Sequence, residues 1–224
     1  VFNLIVTAES EGWLEQLIRR AINSNPGNKE LKIISPPNAS GGESNQLLKI
    51  LILAAIPDKL RLDREIREIR EAIERARNRD IFEIKIRTAV RPKDIRIAIA
   101  EEQPQIVHFC GHGEEDGSLR LEDDGGNDKP VAPSALASLF KLHADYVQCV
   151  VLNACYSEKS AEAISEYINY VIGMNNSIID NAAIVFSEGF YHGLGYISNN
   201  QDMFQRAFEE GMVAIQMESP SQGS

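Results

Sequence analysis

Gln105-Ile106-Val107-His108-Phe109-Cys110-Gly111-His112-Gly113 is the stretch on which the fold turns. Its first six residues are almost uninterruptedly apolar, too few for a core helix, and are stopped by Gly-His-Gly. That is the pattern of a strand buried on both faces. Two more runs share the texture, Lys49 to Ala55 and Val147 to Asn153. Between them the spacing changes: Leu62, Ile66, Ile69, Ile73 and Ala76 form one stripe of an amphipathic helix over 60–79. Phe82, Ile84 and Ile86 alternate with Glu83, Lys85 and Arg87, which predicts a half-exposed strand. Pro92 opens a helix reaching about Glu102, and a hairpin over 118–131 turns at Asp124-Gly125-Gly126-Asn127. Helices near 134–142 and 158–168, a short strand Tyr170 to Gly173, and helices near 179–194 and 201–214 follow. Strand–helix alternation of this kind makes an α/β fold with a mostly parallel sheet, helices on both faces and a β-hairpin insertion.

Outside this pattern the text is different. Residues 1–35 read as helix followed by a turn. Phe2, Leu4, Ile5, Trp13, Leu14, Leu17, Ile18 and Ile22 recur at helical spacings, and Asn23 to Asn28 stops the run around Pro26. Residues 36–46 have the composition of a linker, 47–217 form the main domain, and 218–224 are a tail. Lys and Arg number 23 against 33 Asp and Glu, a net charge of −10. Such a surface repels phosphate backbones and anionic lipid, so neither nucleic acid nor membrane is expected as a partner, and a basic peptide would be attracted. No run approaches the ~20 apolar residues of a membrane span, and the N-terminus has no basic start followed by an apolar core. The three cysteines, Cys110, Cys149 and Cys155, have no framework spacing, which predicts free thiols in a cytoplasmic setting.

In an open parallel sheet, ligands bind beyond the carboxyl ends of the strands. Strand 105–110 runs into Gly111-His112-Gly113, and strand 147–153 into Ala154-Cys155-Tyr156-Ser157. If the two are neighbours, about 4.8 Å apart, an imidazole and a thiol meet at one rim. A free thiol is mostly protonated at neutral pH, and a neighbouring imidazole raises its thiolate fraction. The helix expected after Cys155 presents its N-terminus to that charge. Gly113, lacking a Cβ, lets backbone N–H face a developing oxyanion, with the Cys155 N–H as second donor.

Val107-His108-Phe109-Cys110-Gly111-His112-Gly113 and Val151-Leu152-Asn153-Ala154-Cys155-Tyr156-Ser157 resemble the two catalytic motifs of CHAT domains, in the caspase, metacaspase and separase superfamily (clan CD). Ile52 to Ala55, Arg61 to Ile69, Gly117 to Asp124, Tyr170 to Met174 and Asp180 to Phe186 agree with it, so the similarity covers about 47–217. The resemblance implies a caspase–hemoglobinase-type sheet and a cysteine endopeptidase that works through an acyl-enzyme on a protein substrate. His112 is then the base, Cys155 the nucleophile, and Gly113 with Cys155 the oxyanion donors. For the substrate pocket, Asp180 matches an acidic position that looks like part of separase's, with Glu188 and Asp116 as alternates. An acidic pocket would favour Arg or Lys before the cut. Asp180 serves equally as a helix N-cap. Glu11 to Leu17 and Asn25 to Leu31 resemble the end of the death-like effector-associated domains beside bacterial relatives, with about half of such a domain present. That implies an adaptor or activator protein docking on the N-terminal helices, in a bacterial conflict or cell-death system.

Other readings stand beside these. His108, Cys110 and His112 alternate, and with Cys155 could be imagined around zinc, but ligands two apart on a strand diverge and no CxxC spacing supports them. The acidic run Glu122 to Asp128 lacks the alternating ligands of a calcium loop and reads as a solvated turn. No cofactor or metal is expected. Ala54-Ala55-Ile56-Pro57-Asp58 has no glycine, which argues against a phosphate-cradling loop. The remaining rival is an interaction scaffold whose dyad is present but unused.

Overall fold

The computed structural model describes residues 2–6, 47–55, 62–175, 180–196 and 202–218. They fall into two compact units. The first unit is built on strands β1 (Phe2–Val6), β2 (Leu48–Ala54), β3 (Phe82–Thr88), β4 (Ile106–Cys110), β8 (Cys149–Asn153) and β9 (Tyr170–Met174), which form one sheet in the order β1-β9-β8-β4-β2-β3. The β1–β9, β9–β8, β8–β4 and β4–β2 pairings are all parallel. A second, antiparallel sheet contains β5 (His112–Gly113), β6 (Leu119–Glu122) and β7 (Asp128–Val131), the inserted hairpin with its short leader. The expected class, mostly parallel α/β with a hairpin insertion, is the one found.

The buried strands behave as their composition requires. Leu51, Leu53, Val107, Phe109, Val150, Leu152 and Val171 face one side of the sheet and share a core with helices α2 (Pro92–Glu102), α3 (Pro133–Lys141) and α4 (Glu158–Ser165). Ile95, Ala98 and Ile99 come from α2, Leu136 and Phe140 from α3, and Ala161 and Ile164 from α4. The alternate residues Ile50, Ile52, Ile106, Cys149 and Val151 are also fully buried. Burial on both faces is why these runs carry no period-two polarity. Pro92 sits in the first turn of α2, where Arg91 donates its backbone N–H to Asp94 Oδ2 at 3.0 Å and closes a capping box.

The second unit contains α1 (Leu62–Arg75), α5 (Asp180–Leu194) and α6 (Met203–Glu218). Leu62, Ile69, Ile73 and Ala76 are buried as the stripe predicts, but Ile66 is half-buried and Glu65 goes inside. Its carboxylate accepts the Ser187 hydroxyl at 3.0 Å, which makes that burial tolerable. α5 and α6 pack closely: a Cβ on Gly211 would stand 2.8 Å from the Phe186 ring and 3.0 Å from its carbonyl oxygen.

One expectation needs correcting. The helix read across Phe2, Leu4 and Ile5 is a strand, in register from Phe2↔Tyr170 to Val6↔Met174. Five residues, four of them apolar, fit either geometry, and the edge of β9 supplies the hydrogen-bond partners that select strand. Trp13, Leu14, Leu17, Ile18 and Ile22, the linker and the 219–224 tail lie outside the described residues. Among the described residues no helix is long and apolar enough to cross a membrane.

Candidate active site

β4 and β8 are adjacent and parallel, with Cys110 opposite Asn153. The Gly111 N–H donates to the Asn153 carbonyl at 3.3 Å, carrying the pairing one residue past both strand ends. His112 and Cys155 therefore leave from neighbouring positions at the carboxyl rim, a condition the sequence left open. Gly113 shows how tight the junction is. A Cβ there would overlap the backbone oxygen of Cys155 and stand 3.6 Å from the Ala154 Cβ, so only glycine lets these segments lie together. Cys110 and Cys149 are buried, whereas Cys155 and His112 are each partly exposed.

In the sequence, His112 and Gly113 read only as part of the stop after a strand. They form β5 instead, paired with Arg120 and Leu119 across the inserted hairpin. The Glu114 N–H donates to Ser118 at 2.9 Å and the Gly117 N–H to Glu114 at 2.7 Å, closing a tight turn directly after them. Gly117 has φ +91°, a left-handed conformation that glycine adopts without strain. The Asp116 carboxylate accepts the Ser118 N–H at 2.8 Å. That hydrogen bond, more than the nearby Lys159 charge, holds Asp116 below the usual carboxylate range.

On the other side of the junction Tyr156 has φ +55°, an uncommon conformation for a residue with a side chain, placed immediately after Cys155. Backbone strain of this sort persists only where surroundings impose it, and it clusters at reactive sites. The surroundings here include Ser157, which is fully buried. Its hydroxyl donates to the Leu152 carbonyl at 3.0 Å and accepts the Met174 N–H at 2.9 Å, bolting the turn to the ends of β8 and β9. Ser160, one turn into α4, donates to the Gly117 carbonyl at 2.5 Å, and Lys159 Nζ donates to the Glu115 carbonyl at 3.0 Å. Glu158 in the first turn of α4 is raised above the usual glutamate range by burial and then by the neighbouring Glu162.

The other sequence candidates belong to other elements. Asp180 is the first residue of α5, and Glu188 is an exposed residue of the same helix, both in the second unit. The acidic hairpin is a turn: Asp123 Oδ1 accepts the Gly125 and Asn127 N–H groups at 2.7 and 2.9 Å. Asp124 pairs with Lys93 at 2.6 Å and Arg91 at 3.0 Å, and Asp128 pairs with Arg120. Tyr156, Ser157, Lys159 and Ser160 were not singled out in the sequence. Ser157, Lys159 and Ser160 bond to backbone groups, which leave no residue signature.

A family model described as CHAT domain matches residues 4–205. A "Roc-COR-CHAT protease" from an unknown prokaryotic organism is 26% identical over 170 residues, covering 71% of this chain and 16% of the relative. A "Probable protease" of Gillisia limnaea is 26% identical over 134 residues, covering 58% of this chain and 23% of the relative. The chain thus spans less than a quarter of the length of either relative. With most of its length matched by the family model, the chain belongs to the CHAT domain family.

Proposed function

We propose that this chain is a cysteine endopeptidase domain in which Cys155 is the nucleophile and His112 its base. The observation that carries the reading is the junction itself: β4 and β8 end side by side, and the Gly113 backbone lies against the Cys155 carbonyl. The protease names of both relatives support the same class of activity. His112 takes the thiol proton, and the thiolate sulfur attacks the scissile carbonyl carbon. The resulting oxyanion accepts hydrogen bonds from the backbone N–H groups of Gly113 and Cys155. Strand alternation supports the first donor. The Glu114 N–H turns toward β6, so the Gly113 N–H turns off the free edge of the small sheet. Collapse of the intermediate breaks the C–N bond, and His112 returns its proton to the leaving amine. Water, deprotonated by His112, then cleaves the thioester and frees the acid product and the thiol.

The test is alkylation of the three cysteines by iodoacetamide from acid to mildly alkaline pH, mapped by peptide mass, in this chain and in His112→Ala. Cys155 is expected to react fastest, to stay reactive at lower pH than an ordinary thiol, and to slow when His112 is removed. A Cys155 rate that is indifferent to His112 and follows the pH profile of an ordinary thiol would favour the unused-dyad scaffold, since burial alone already slows Cys110 and Cys149. We further propose that the domain is a regulated effector within a longer conflict or signalling protein, supported by the small share of each relative that it spans. Cys155 should then alkylate more slowly in the full-length protein than in this chain, and equal rates would refute that control.

A further inference from the structure

Two segments far apart in sequence must be held in one geometry for His112 to act on Cys155, and both are fastened to the first turn of α4. Ser157 seats the Cys155 turn on β8 and β9. Ser160 faces the opposite way. It is fully buried, yet it does not bond back to its own helix, the usual recourse of a helical serine. Its hydroxyl donates to the carbonyl of Gly117, 43 residues away in sequence, at 2.5 Å.

The loop it holds is a rigid one. Hydrogen bonds Gly117 to Glu114, Glu114 to Ser118 and Ser118 to Asp116 close it internally. It leads directly back into His112 and Gly113, whose pairing with Arg120 and Leu119 continues the same stiff piece. The contact surface is close: a Cβ on Gly117 would stand 2.7 Å from the Lys159 Cβ, and Lys159 Nζ ties down the Glu115 carbonyl beside it. Fixing the Gly117 carbonyl therefore fixes the backbone that carries the imidazole, relative to the helix that begins just after the thiol.

We propose that Ser160 is a positioning residue for the His112–Cys155 pair, acting through its hydrogen bond to the Gly117 carbonyl; this rests on the dyad reading given above. Ser160 touches neither reacting group. It locks the loop after His112 onto the helix after Cys155, so that the imidazole and the thiol keep one separation.

The experiment measures the Cys155 alkylation rate with iodoacetamide in the wild-type chain, Ser160→Ala, His112→Ala and the double variant, with Lys159→Ala as an exposed second probe of the same clamp. Ser160→Ala is expected to slow Cys155 about fivefold near neutral pH, the factor one ordinary buried hydrogen bond is worth. The pH profile should move to higher pH. In the His112→Ala background the same substitution should change nothing, because the residue acts through the imidazole. Equal slowing with and without His112 would mark Ser160 as merely structural and overturn the proposal. So would an unchanged rate in Ser160→Ala while His112→Ala is slow. If Ser160→Ala does not fold, Lys159→Ala decides: a loss of about twofold supports the clamp and an unchanged rate overturns it. A His112→Ala chain with wild-type Cys155 reactivity refutes the dyad itself, an outcome distinct from all of these.

Discussion

Gly113→Ala adds one methyl group at the point where the two candidate segments cross. The added carbon would overlap the Cys155 backbone oxygen, an atom that no rotamer change can move aside. The two backbones must separate by about 1 Å, and a misplacement of that size costs on the order of 100-fold in rate where catalysis depends on alignment. Overpacking of this kind also destabilises a fold by about 1–3 kcal/mol. Gly113 does not occupy a left-handed conformation, so the whole effect is steric. The assay pairs a thermal melt with the Cys155 alkylation rate and with cleavage of a mixed fluorogenic peptide pool. Gly126→Ala, at φ +79° in the hairpin turn with open space around the added carbon, is the comparison. A folded Gly113→Ala protein whose Cys155 reacts at the wild-type rate would refute the close-approach reasoning.

Ser157→Ala should lower stability by about 1–3 kcal/mol in chemical denaturation, because the buried Met174 N–H and Leu152 carbonyl lose their partner. Glu158→Gln should raise the melting temperature at neutral pH. Burial and Glu162 raise the carboxyl, so its protonated form is the one the fold favours, and that stability disappears as pH climbs through the raised value. The gain from glutamine should vanish in melts below the ordinary glutamate range, and a constant gain at every pH would refute it. Gly211→Ala should cost about 1–3 kcal/mol by forcing α6 away from Phe186, read from the loss of helical circular dichroism on heating.

Most of the sheet was legible because its strands are buried on both faces and announce themselves as apolar runs. Lys49 to Ala55, 105–110 and 147–153 each became a strand. The rim where His112 and Cys155 stand followed from the two stops, Gly111-His112-Gly113 and Ala154-Cys155. Adjacency of those strands was conditional in the sequence and is settled by the pairing of β4 with β8. What stayed hidden depends on distant backbone. Phe2–Val6 is too short for its period to choose between helix and strand, and its partner is Tyr170–Met174, far along the chain. His112-Gly113 pairs only because the hairpin comes back beside it. The stripe over 60–79 failed at Ile66 and Glu65, where Ser187 of a later helix makes an inward carboxylate acceptable.

Among the described residues, the sheet edge at β9 is filled by Phe2–Val6, from far earlier in the sequence. During synthesis Phe2–Val6 emerges long before Tyr170–Met174 exists, so its partner in the sheet arrives only after β2, β4 and β8 have been made. For that interval the growing chain carries a free apolar strand, and once β9 arrives, an unoccupied row of backbone donors and acceptors. Such edges invite strand exchange with a neighbouring nascent copy or capture by a chaperone. The pairing of Phe2–Val6 with Tyr170–Met174 is the most non-local one in the sheet, and the yield of folded protein should depend on how long a ribosome takes to travel between those two strands.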